Sequence, residues 1–93
     1  MNAGPSAAEI AEEAGRARQL RLIVDLASSV IAQGGLSPAE AEALVAATRR
    51  RALELFPGKE ETFDLVLAPR FARLIREFAV APPPPGDPRR RGN

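Results

Sequence analysis

The chain predicts an all-α fold: an antiparallel helical hairpin plus a third, proline-distorted helix, closing a three-helix bundle. Three observations carry this. Apolar residues recur at helical spacing in three separate stretches. Two serines open capping boxes, Ser6-Ala-Ala-Glu9 and Ser37-Pro-Ala-Glu40. Gly34-Gly35 and Pro57-Gly58 divide the stretches from one another.

Residues 1–5, MNAGP, read as a frayed start, and residues 6–81 as the bundle. Ser6 caps the first helix: its oxygen accepts a backbone N–H of the first turn, and Glu9 reaches back to the Ser6 N–H. Glu9, Glu12 and Glu13 favour the positive end of the helix dipole. Residues 20–31, LRLIVDLASSVI, form the densest apolar segment. At about 100° per residue its apolar side chains sweep an arc of roughly 200°, where a surface helix buries nearer ~100–120°. Leu20, Leu22, Ile23, Val24, Leu26, Ala27, Val30 and Ile31 share that arc. Arg21, Asp25, Ser28 and Ser29 occupy the remainder. Arg16, Arg18 and Arg21 stand at pairing distance from Glu12, Glu13 and Asp25. The helix is expected over residues 6–33 and needs more than one neighbour. Leu26→Asp is therefore expected to unfold the protein.

Gly34-Gly35 ends it, one glycine supplying the left-handed conformation of a helix C-terminus. Ser37, Pro38 and Glu40 then start a second helix, expected to about Phe56. Leu36 is placed to staple onto Ala41. Ala41, Leu44, Val45, Thr48, Ala52, Leu55 and Phe56 form its apolar arc, with Arg50 and Glu54 as an outer i,i+4 pair. The short connection makes the two helices antiparallel neighbours.

Pro57-Gly58 forces a turn. A third helix begins near Lys59, with Glu60, Glu61 and Asp64 at its N-terminal end. Phe63, Val66, Leu67, Phe71, Leu74, Ile75 and Phe78 keep one helical phase. Pro69 interrupts: it removes one hydrogen bond and clashes with the carbonyl four residues back. The phase favours a kinked, continuing helix over a stop and restart at Pro69. A straight helix would put Arg70 inside the apolar arc, a second reason to expect distortion. Residues 82–93 have no apolar periodicity and read as a disordered, partly polyproline-II tail.

Composition narrows the function. The 93 residues hold no cysteine and no histidine, so disulfides, thiolate sites and the commonest metal ligand and general base are missing. Residues 1–81 carry ten basic and eleven acidic side chains, and Arg89, Arg90 and Arg91 supply the net charge of +1. Such balance argues against a dedicated nucleic-acid binder. Twelve arginines to one lysine, with abundant alanine, fits GC-rich coding. The first 15 residues show no apolar signal-peptide core, and no apolar run approaches a membrane span, so a cytoplasmic protein without membrane contact is expected.

No phosphate loop, nucleophile elbow or metal-ligand cluster occurs, so no enzyme and no cofactor is expected. Glu60, Glu61 and Asp64 are the closest carboxylate group, and a helix N-terminus explains them. Arg49, Arg50 and Arg51 spread over about 200° of a helix and form no single patch. Arg70, Arg73 and Arg76, with Arg49 and Arg50 nearby, make a candidate basic strip. In the tail, residues 85–90 (PGDPRR) fit the loose PxxPxR form of SH3 ligands. A chain this short reaches only ~3–5 kcal/mol without a staple, and dimerisation is the staple left. The expected role is a non-catalytic interaction or regulatory module that binds a protein partner, including its own copy, through an apolar helix face. Leu22, Leu26, Phe71 and Phe78 are the candidate contact residues. The rival reading is a nucleic-acid-associated protein using the arginine strip and tail.

Overall fold

The structure, a computed structural model, describes residues 4–80. Residues 1–3 and the Pro/Arg-rich tail, with its SH3-ligand-like motif, lie outside them. The described residues form an all-α, antiparallel arrangement of three rods. The first is α1 (Ala7–Ala32) and the second α2 (Pro38–Leu55). The third is composite: α3 (Glu60–Thr62), a π-helical turn (Phe63–Leu67) and α4 (Ala68–Phe78).

Local chemistry sets the boundaries. Ser6 and Glu9 form a reciprocal capping box, with bonds of 2.7 and 3.1 Å. Ser37 and Glu40 repeat it at 2.9 and 3.2 Å, with Pro38 opening the helix. Gln33 caps α1, and Gly34 follows at φ +79°, the left-handed turn that frees the chain to reverse. Gly58 serves the second reversal at φ +82°.

Pro69 is accommodated by widening rather than by a break. The Ala68 N–H donates to the Phe63 carbonyl five residues back, so one extra residue enters the turn before the proline. That extra residue explains the packing downstream. Phe63 and Phe71 are eight apart, about 80° out of phase on a regular helix. The π turn absorbs the difference, and the two rings stack at 6.3 Å and 23°. The same shift carries Arg70 out of the apolar arc, and it is exposed.

The core sets small and medium side chains of the hairpin, Val24, Ala27 and Ile31 of α1 with Ala41 and Ala52 of α2, against two large ones, Phe63 and Phe71, of the third rod. Leu20, Leu36, Leu44 and Leu74 pack around it. Buried Thr48 satisfies its hydroxyl by donating to the Leu44 carbonyl at 2.8 Å. At the far end the Val80 N–H donates to the Leu36 carbonyl at 2.9 Å and clasps the third rod to the first reversal.

Several expectations fail here. Leu22 and Leu26 are not in the core, because α2 and α4 cover only one side of α1. Ser28 turns inward instead, its Oγ buried without a hydrogen-bond partner. Glu54 pairs with Arg51 at 2.9 Å rather than with Arg50. Arg16 lies over the Phe56 ring at 6.0 Å, and among the described residues Arg16, Arg18 and Arg21 form no ion pair with Glu12, Glu13 or Asp25.

Candidate functional site

The candidate surface is the outer side of α1. Val24, Ala27 and Ile31 turn one side of that helix into the core. Helical spacing then puts Leu22 and Leu26 on the opposite side. They are 68 % and 64 % exposed. One turn apart, they lie side by side.

The same line continues in both directions. Residues 15, 19, 22, 26 and 29 alternate steps of four and three, the spacing of a coiled-coil seam. They are Gly15, Gln19, Leu22, Leu26 and Ser29, small or uncharged at every position. A shallow depression beside the seam is lined by Gly15, Arg18, Gln19, Arg21, Leu22 and Asp25. Arg18, Arg21 and Asp25 are exposed and make no ion pair within the described residues. The seam therefore has an apolar centre and a flank bearing both signs of charge.

The other two candidate contact residues separate from this surface. Phe71 is 1 % exposed and stacked on Phe63, so it belongs to the core and cannot meet a partner while the bundle is closed. Phe78, at 39 %, sits at the end of α4 beside the first reversal, where its carbonyl lies near Gly34.

The arginine strip is broken up in a different way. Arg49 is held by Asp64 through two parallel bonds, Nε to Oδ1 at 3.0 Å and an amino nitrogen to Oδ2 at 3.2 Å. That carboxylate, with Glu60 nearby, raises the Arg49 pKa above its ordinary value, chiefly through the hydrogen bonds. Its charge is thus matched by a neighbour before any ligand arrives. Arg50, Arg70, Arg73 and Arg76 are exposed.

Among the described residues no group of three or more carboxylates converges as a metal-binding cluster. No helix there is long and apolar enough to cross a membrane. No protein-family model, curated protein or solved structure matches the chain.

Proposed function

We propose that the protein is a small non-catalytic helical module that binds another protein, a second copy of itself, through the outer side of α1. The observation that supports this is the exposure of Leu22 and Leu26 in the middle of the most apolar stretch of the chain. Two leucines left in water on a chain short of core favour a surface used for association.

A second copy suits the seam because its flank is self-complementary. In a two-fold antiparallel pairing of α1 helices, Arg18 of one protomer comes opposite the partner's Asp25, and the reverse pair forms by symmetry. Leu22 then meets its own counterpart near the axis, Leu26 lies over Gln19 of the second copy, and Gly15 comes opposite its Ser29. The proposal includes action in the cytoplasm.

Equilibrium sedimentation tests it. The expected result is a dimer whose strength changes little with salt, and a monomer for the Leu22→Lys/Leu26→Lys double variant with unchanged helix content. A wild-type chain that stays monomeric at high concentration would overturn the reading. So would retention on heparin that collapses with salt, the behaviour of the rival nucleic-acid reading.

A further inference from the structure

A second concavity lies at the opposite end of the bundle from Val80, where α2 turns into the third rod. Its walls are Leu20, Leu53, Phe56, Phe63, Val66 and Leu67, and its cavity volume is about 340 Å³. Besides these and Ala52, only Lys59 and Thr62 line it, and they do so almost entirely through their carbon atoms, so the wall is apolar throughout. We propose that this groove takes the alkyl chain of a single-chain amphipath with an anionic carboxylate head, a fatty-acid anion.

The volume sets the tail. Small-molecule sites run from about 300 to 1,000 Å³, and this one is at the lower end, enough for one chain and too small for a two-tailed lipid. Val66, within the π turn, is 61 % exposed on the groove wall.

The charges set the head. Lys59, Thr62, Phe63 and Val66 are spaced three, one and three residues apart, which gathers them on one face. The neighbouring carboxylates fall elsewhere. Asp64 is bound to Arg49, and Glu60 lies close enough to act on the same guanidinium. Glu61 does not line the groove, and neither do Glu12 and Glu13 on α1. Lys59 is the only lysine of the chain, and it makes no ion pair among the described residues. Arg16, seated over the Phe56 ring at 6.0 Å, is likewise without an ion pair there. One residue of an apolar groove, Lys59, thus carries a cation without a counter-ion, and Arg16, outside the lining, carries a second over Phe56; a carboxylate head on one tail satisfies both the apolar wall and the free charge.

Titration of the full-length chain with octanoate and decanoate, kept below micelle formation and followed by amide chemical shifts, tests this. The shifts should centre on Leu53, Phe56, Thr62 and Val66. Each methylene that enters the groove should tighten binding about fourfold, until the groove is full. Lys59→Ala, at an exposed position that leaves the core untouched, should weaken decanoate about two- to fivefold. The Leu22→Lys/Leu26→Lys variant should bind decanoate as the wild type does, which separates this site from the α1 seam. Decanol or decyltrimethylammonium binding as tightly as decanoate would overturn the choice of head. Shifts centred on Leu22 and Leu26, or no saturation at millimolar decanoate, would overturn the site. A wild-type dimer split by Val66→Lys in the absence of amphipath would give the groove to a second copy instead.

Discussion

Replacing Leu26 by aspartate should leave the bundle folded, at a cost of about 1 kcal/mol. The side chain is 64 % exposed, so only about a third of its transfer free energy is at stake. Full burial of a leucine is worth roughly 1.5–3 kcal/mol, and a third of that is about 0.5–1 kcal/mol. The lower helix propensity of aspartate adds a few tenths, by the ~0.7 kcal/mol span of ordinary residues. The new carboxylate stays hydrated, so the large penalty for a buried charge does not arise. Phe71→Ala is the contrasting variant. Its ring is 1 % exposed and stacked on Phe63, and its removal should cost roughly 3–5 kcal/mol. That equals the whole stability of about 3–5 kcal/mol expected of a domain this small. Urea titrations followed by far-ultraviolet circular dichroism, repeated over a range of protein concentration, measure both. The wild-type midpoint should rise with concentration, since a dimer adds stability by mass action, and the Leu26→Asp midpoint should not. A Leu26→Asp chain unfolded without urea, or a Phe71→Ala chain losing less than about 1 kcal/mol, would refute the placement of α1 against its neighbours.

Further outcomes follow from the caps and turns. Ser37→Ala should cost about 1 kcal/mol of global stability in the same titration, because α2 cannot shorten without losing Ala41 from the core. Ser6→Ala should leave the midpoint nearly unchanged and show only as faster amide exchange in the first turn of α1, whose residues 7–14 are exposed throughout. Gly34→Ala should destabilise by about 1–2 kcal/mol, the cost of a left-handed alanine, since the nearest atom to the added carbon is an ordinary 3.7 Å away. The Glu9 pKa lies below its ordinary value because the carboxylate accepts the Ser6 N–H and meets its hydroxyl. A depressed carboxylate stabilises above its unfolded pKa and stops doing so as pH falls through the folded value. The first turn should therefore loosen on acidification, by carboxyl shift titration, and Glu9→Gln should hold the cap with that pH dependence removed.

What could be read from the residues was what is local. Ser6–Glu9 and Ser37–Glu40 each complete a cap within four residues, so their geometry depends on nothing distant. Gly34 and Gly58 mark reversals for the same reason. The orientation of α1 was not readable in this way. An apolar arc of roughly 200° holds two candidate faces, and periodicity alone does not say which one the neighbours cover. In the folded chain Ala41 and Ala52 share one buried cluster with Val24, Ala27 and Ile31, and Leu22 and Leu26 are left outside it. The π turn did leave a trace, in the eight-residue interval from Phe63 to Phe71 and in Arg70 falling inside the arc of a straight helix. The groove left less. Lys59, Thr62, Phe63 and Val66 share a face by spacing, but its depth depends on how far Leu20 and Phe56 stand from that face.

The bulge ahead of Pro69 lets the third rod give up one residue at that place without turning. Excising one residue between Phe63 and Leu67 would let the hydrogen bonds close in the ordinary pattern, and locally the backbone would be more regular. Phe63 and Phe71 would then stand seven apart, only about 20° out of phase on a regular helix, so Phe71 would stay toward the core and Arg70 toward water. The cost would fall on Pro69, whose ring then meets the carbonyl four residues back. The irregular turn thus holds a spare residue, and it is what keeps the two ends of the rod in step.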